Sequence, residues 1–284
     1  YRDALNQAVT EAVQARGGSL EAFDGPEVVS RVNAIVREKT HGKIDNLMGP
    51  DDWNEMLKFV ILNCVYFKRE WQYKFVEQWR REPFNGATKV ANVKYLNHRI
   101  IGQRYYEDSL VDIVELPYKD SDVACYIIVP RGSLFSAFND LKGTISKISQ
   151  VKAGLDVDLT VPPFKTDTTI PLNEMTKLAV VKKIFSLSQD WTMVDWSKID
   201  PLTYIWVSYI RQKAYIDFTK GGAEAAAATM IGILACSGAC WPPKEPPPIK
   251  YVRADKPFLY VLANRTDFKP LLVGVVNELE STAV

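Results

Sequence analysis

The sequence is poor in histidine and cysteine, with two and four in 284 residues. It has no long hydrophobic run: stretches such as Met230 to Ala235 are too short and too broken by glycine to span a bilayer. It also has almost no net charge, 35 Lys and Arg against 34 Asp and Glu, which gives no electrostatic reason to expect nucleic acid or a membrane as partner. His98, in "LNHRI", has none of the neighbouring ligand spacing of a metal site, and His41, in "KTHGKI", reads as a helix-end residue. No Gly-x-Ser-x-Gly elbow, phosphate-binding glycine loop or dinucleotide fingerprint occurs. The paired carboxylates Asp51-Asp52 and Asp120/Asp122 lie in turn-like settings and read as solvated. These absences argue against an enzyme and leave no catalytic residue, metal or cofactor to expect.

Four cysteines do not make a disulfide scaffold. Cys64 and Cys125 lie inside apolar runs, "VILNCVYF" and "DVACYIIV", and read as reduced core residues. Cys236 and Cys240 differ, because both lie in a late stretch of small residues.

What is present is an ordinary globular mixture of helix and strand patterns. Val28, Val29, Val32, Ile35 and Val36 share one helical face, with Pro26 at the first turn and an end near Gly42. Ala4 to Val13 suggests an earlier helix ending at Gly17-Gly18. Leu57 to Lys68 is a continuous apolar run, which predicts a strand buried on both faces. Strand patterns follow at Val90 to Leu96, Ile100 to Tyr106, Val111 to Leu116 and Val123 to Val129, the last two joined by a hairpin turn at "KDSD". Leu134 to Ile148 is weakly helical, and Leu155 to Val161 alternates as a half-buried strand does. An amphipathic helix is predicted over Leu172 to Phe185, a strand over Tyr204 to Phe218, and two final strands in "KYVRADKPFLYVLAN" and "PLLVGVVN". With no linker composition and no internal repeat, residues 1–284 read as one α+β domain.

One stretch does not fit its surroundings. "KGGAEAAAATMIGILACSGAC", Lys220 to Cys240, carries a strong helix-forming run at Glu224 to Ala228 between glycines and small residues. From local sequence alone it reads as a short Ala-rich surface helix, too short to be stable unaided.

Other segments change that reading. "LNCVYFKREW" (Leu62 to Trp71), "VNAIVREKTHGKI" (Val32 to Ile44), "VDLTVPPFK" (Val157 to Lys165), "VSYIRQKA" (Val207 to Ala214) and "ADKPFLYVL" (Ala254 to Leu262) resemble, in order and spacing, segments of the serpins, the family of large serine-protease inhibitors. The Lys220 to Cys240 stretch resembles the hinge of inhibitory members. The resemblance implies a large central β-sheet, smaller sheets, flanking helices and an exposed reactive-centre loop at about 220–241. It implies a suicide substrate: a serine protease attacks the loop, whose N-terminal arm then inserts into the main sheet as a strand. The hinge would be Lys220, Gly221, Gly222, Ala223, Glu224, Ala225, Ala226, Ala227, Ala228 and Thr229, and the sheet-opening region would include Asn63, Trp71 and Gln212. In an inserted strand, Ala223, Ala225, Ala227 and Thr229 share one face, small and uncharged, while Glu224 lies on the other. Burying only the first set avoids desolvating a charge.

The family's hinge-to-bond distance, counted from Gly222, places the reactive bond between Cys236 and Ser237, with Leu234 and Ala235 as subsite residues. A small, modestly apolar Cys236 favours an elastase-like or chymotrypsin-like target. A disulfide between Cys236 and Cys240 would span that bond and hinder insertion; two free thiols are the other reading. The sequence departs from the inhibitory pattern at Lys220-Gly221, where the hinge head is usually acidic. It departs again at Gln212 in place of a histidine, and at Asp255-Lys256-Pro257 in place of Asp-His-Pro. These departures keep an alternative open, a non-inhibitory serpin acting as a carrier or chaperone-like binding protein.

The chain opens on Tyr1 in what reads as the middle of a longer protein, so the resemblance implies that the first helices and a core strand precede it. It further implies a secreted, extracellular monomer, with a glycosaminoglycan as a partner besides the protease. The acceptor triplet Asn264-Arg265-Thr266 adds an expectation of N-glycosylation at Asn264.

Overall fold

A computed structural model describes residues 7–22, 25–54, 59–67, 69–171, 194–198, 207–221 and 248–281. The chain forms two compact units, each drawn from two separate stretches. One comprises Tyr1–Tyr66 and Asp167–Tyr215, the other Phe67–Thr166 and Ile216–Val284.

In the first unit, α1 (Gln7–Gln14) precedes α2 (Glu27–Lys39). The α2 helix forms where the spacing of its apolar residues predicts it, and it buries Val28, Val32 and Val36 along one stripe. Glu27 in its first turn and Arg37 and Lys39 in its last suit the helix dipole. Its exit is fixed by Thr40, whose buried hydroxyl donates to the Val36 carbonyl at 2.7 Å and accepts from the Ile44 N–H at 3.1 Å. His41 and Gly42 then adopt positive φ, turning the chain so that Ile44, Leu47 and Met48 join the helix's apolar stripe. Asn33 holds this segment: its Oδ1 accepts from the Leu47 and Met48 N–H groups and its Nδ2 donates to the Met48 carbonyl.

Strand β1 (Phe59–Tyr66) pairs in parallel with β8 (Val207–Phe218), and with β7 (Phe164–Pro171) they form, among the described residues, a three-stranded sheet in the order β1-β8-β7. Leu62, Cys64, Tyr66 and Tyr215 pack on the α2 cluster. The expectation that β1 is buried on both faces is corrected: Ile61 is 41% exposed and Asn63 is exposed. Ile61 and Asn63 lie on the face opposite Leu62, Cys64 and Tyr66, which the α2 cluster covers. Cys64 is half-buried where a core position was expected, although burial still pushes its thiol pKa up. Asp52, expected to be solvated, instead forms a bidentate ion pair with Arg211, one arm of it at 2.7 Å.

The second unit is built on an eight-stranded sheet: β2 (Val76–Asn85), β3 (Val90–Glu107), β4 (Val111–Pro117), β5 (Val123–Pro130), β6 (Lys152–Val161), β9 (Ile249–Arg253), β10 (Phe258–Asn264) and β11 (Pro270–Val276). The order is β11-β10-β5-β4-β3-β6-β9, with β2 also paired to β3. The two strands predicted on either side of "LNHRI" are one long strand, β3, whose register shifts near Gly102, a residue at φ +72°. The expected hairpin forms between β4 and β5, with Asp120 at positive φ in its turn.

The weakly helical stretch is two short helices, α3 (Leu134–Asn139) and α4 (Leu141–Ser146), followed by a 3₁₀ turn. Ala137 and Ile148 from this stretch close over Ile113, Tyr126, Ile128, Leu259 and Val261. Strand β6 is more buried than its alternation predicts. Asp156 and Thr160 are buried beside Val157, Leu159 and Val161, because the strand lies between β3 and β9 and its polar side chains find partners there. The Asn97 amide donates to Asp158 at 2.5 Å and to the Thr160 hydroxyl at 3.3 Å, and the Gly102 N–H meets Asp156 at 3.4 Å. The predicted helix over Leu172 to Phe185 lies outside the described residues.

Candidate functional site

Two places carry the residues singled out in the sequence, one in each unit. In the first unit, β1 and β8 are in register with Asn63 opposite Gln212. Neighbours in a parallel register point to the same face, and alternation puts that face opposite the one bearing Leu62, Cys64 and Tyr66. Asn63 and Gln212 thus stand side by side on the less covered face of the sheet, with Asn63 exposed and Gln212 half-buried. An amide at position 212 keeps donor and acceptor capacity without a titration near neutral pH.

In the second unit, Trp71 holds the chain that leads into the stretch from Gly222 onward. Trp71 is 3% exposed and stacks on Tyr118 with ring centroids 4.3 Å apart. It also contacts Phe218 at 4.9 Å and Phe75 at 5.8 Å. Its indole Nε1–H donates to the Thr219 carbonyl at 2.9 Å. Its backbone N–H donates to the Gly221 carbonyl at 3.3 Å, and the Phe75 N–H donates to the Lys220 carbonyl at 3.0 Å. Three consecutive carbonyls, Thr219 to Gly221, are therefore taken up by the Trp71–Phe75 segment, while the Lys220 side chain stays exposed.

This anchor is backed by a line of aromatic rings. Phe218 stacks on Phe164 at 4.8 Å, and Phe164 reaches Phe258 and Tyr260 of β10 at 5.6 and 5.0 Å. At the other end Phe75 meets His98 at 4.7 Å. Burial pushes the His98 imidazole down to a pKa of about 4, against the opposing pull of its hydrogen bond to the Lys74 backbone and of Asp158. Sequence reasoning found Trp71 and passed over Phe75 and His98. Their signal, an aromatic four residues after Trp71 and a histidine between Asn97 and Arg99, is not distinctive without the fold.

Of the predicted hinge, Lys220 and Gly221 are described. Gly222, Ala223, Glu224, Ala225, Ala226, Ala227, Ala228 and Thr229, the subsite residues Leu234 and Ala235, and the bond residues Cys236 and Ser237 lie outside the described residues. Asn264 is the last residue of β10, just before the turn into β11. It is half-buried, and its side-chain oxygen accepts from the Thr266 N–H at 2.7 Å. The following Arg265 reaches Glu115, which is 1% exposed and also receives Tyr126 and Arg104. Among the described residues no group of three or more His, Cys, Asp or Glu is placed to hold a metal ion, and no helix is long and apolar enough to cross a membrane.

The β1-β8-β7 sheet, the long mixed sheet and the helices that pack on them form an α+β fold of the serpin class. The sequence profile described as Serpin (serine protease inhibitor) matches residues 2–279, and the chain belongs to that family. It is 29% identical over 265 residues to Iripin-8 of Ixodes ricinus, an alignment covering 90% of this chain and 63% of the relative. It is 26% identical over 274 residues to Serine protease inhibitor 42Dd of Drosophila melanogaster, covering 95% of this chain and 70% of that one. The fold matches the crystal structure of Serpin48 of the insect Tenebrio molitor with a TM-score of 0.75 at 24% identity, covering 97% of this chain and 72% of that chain. The chain thus spans less than two thirds of the length of Iripin-8.

Proposed function

We propose that the protein is an inhibitory serpin, a suicide substrate that traps a serine protease by loop insertion after cleavage. The observation that carries this reading is the composition of the stretch that begins where the Trp71–Phe75 anchor ends. From Ala223, every second residue to Thr229 is small and uncharged, which suits a strand that must slide into a packed sheet without desolvating a charge. Family membership and the similarity to the Drosophila serine protease inhibitor 42Dd support the same activity. The reactive bond is placed at Cys236–Ser237, after Leu234 and Ala235, and the small Cys236 favours an elastase-like or chymotrypsin-like protease. Lys220, Gln212 and the pair Cys236 and Cys240 permit a second reading, a carrier or chaperone-like serpin that is cut without trapping.

Secretion is part of the proposal, supported by the Asn264 triplet at the β10–β11 turn. A glycosaminoglycan partner is proposed on the family resemblance and is tested by retention on immobilised heparin. Incubating the intact protein with elastase-, chymotrypsin- and trypsin-like proteases tests the central reading. An SDS-stable complex with one of the first two is expected. Clean cleavage without a complex supports the carrier, and cleavage only after a Lys or Arg elsewhere removes Cys236 as the specificity residue.

A further inference from the structure

His98 is the most deeply buried titratable base among the described residues that the activity above does not use. It is 6% exposed, and its Nε2 is buried with no hydrogen-bond partner among the described residues. Its other nitrogen is engaged with the backbone at Lys74. The neutral ring with a proton on Nδ1 fits this site, because Nε2 then presents a lone pair to apolar surroundings. A protonated ring would present an N–H⁺ to the same surroundings, a buried charged donor with no acceptor, which is far more costly than a buried lone pair.

The surroundings are the anchor itself. The ring lies 4.7 Å from Phe75 and 6.3 Å from Tyr73, on either side of Lys74. Phe75 supplies the N–H that holds the Lys220 carbonyl and the ring that leans on Trp71. The charged and titratable groups around His98 come from three sides; on β2, Glu77 stands opposite Leu96 and is paired with Lys94 at 3.5 Å. Tyr73 and Lys74 belong to the anchor segment, and Asp158 belongs to β6, where Leu159 is the register partner of His98. The Asp158 carboxylate is turned to the Asn97 amide, at 2.5 Å. On β3 itself the adjacent Arg99 is exposed, and alternation sends it to the other face.

We propose that His98 is a proton-sensitive latch on the Thr219–Gly221 anchor: protonation of its Nε2 displaces Phe75 and Trp71 and frees the carbonyls they hold. Burial keeps the imidazole neutral in the closed anchor, whereas an open anchor returns it to an ordinary histidine environment. The closed form therefore binds fewer protons between about 6.5 and about 4, and acidification favours opening across that window and no further below it. The proposal concerns the anchor alone and stands whether or not the loop beyond it inserts into a sheet.

The test is hydrogen exchange on the intact protein from pH 7.5 to 4.5, with rates corrected for intrinsic exchange and read at Trp71 to Phe75. Opening should grow by up to about ten-fold per pH unit below about 6.5 in the wild type. It should lose that dependence in His98→Phe, which fills the site without titrating, and in His98→Gln should the bulkier ring not fold. An Asp158→Asn control should keep the dependence. Wild-type protection that is flat to pH 4.5, a pH response that survives both His98 variants, or one abolished by Asp158→Asn would each overturn the latch.

Discussion

Gly274 faces Tyr260 directly across the β10–β11 ladder, and a Cβ placed on it would lie 2.2 Å from the tyrosine Cζ and hydroxyl oxygen. The missing side chain lets the ring lie flat over β11, with its hydroxyl 2.8 Å from that of Thr166. Gly274→Val should therefore cost about 1–3 kcal/mol of stability through overpacking, read as a lower urea midpoint with an unchanged slope. In sequence this glycine is only a weak spot in "PLLVGVVN", because the ring that requires it is on another strand. The same holds for His98 and Asp52, whose neighbours in sequence suggested solvent-facing or unremarkable roles. Each takes its character from a partner distant in the chain, Phe75 for the first and Arg211 for the second.

At the scale of elements, hydrophobic pattern located most strands and helices but not their cover. The α2 stripe and the β4–β5 hairpin were legible because their signals are local: apolar spacing in one, a turn between apolar runs in the other. Strand β2 was not legible, since Glu77, Arg80, Arg81, Glu82 and Pro83 break any alternation, and it exists by pairing with β3. The tie between β8 and the segment after α2 gives a pH prediction. Hydrogen bonding to Arg211 holds the Asp52 carboxyl below its usual range, so its contribution is present above the unfolded carboxylate value and is lost as pH falls through the lower folded one. Asp52→Asn should flatten that acid limb in urea titrations at successive pH values. For the anchor, Trp71→Phe keeps a ring against Tyr118 but removes the donor to the Thr219 carbonyl. It should cost about 1 kcal/mol and raise hydrogen exchange at Thr219 to Gly221 more than in the β5 and β10 core.

At the scale of the molecule, family and fold were legible because motifs in fixed order leave few alternatives, and because the five segments outside the hinge fall on α2, β1, β6, β8 and β10. Asn63 and Gln212 are register partners across β1 and β8. The far end of the loop was legible only as composition, and there the two cysteines allow a direct experiment. If Cys236 and Cys240 pair, protease complexes should form faster with reductant than without, measured as complex per unit time on non-reducing gels. Cys240→Ser should remove the difference. Equal rates in both conditions would leave them as free thiols.

The order of the long sheet has a consequence for what a protease leaves behind. Everything after a cut between β8 and β9 still comprises β9, β10 and β11, and β10 lies inside the sheet, laddered to β5 on one side and β11 on the other. Its residues from Phe258 to Ala263 are buried. Hydrolysis there yields two polypeptides but no departing product. The nicked protein should migrate as one particle in native conditions and separate only when denatured, so the tail stays as a built-in clasp after the bond that joined it is gone.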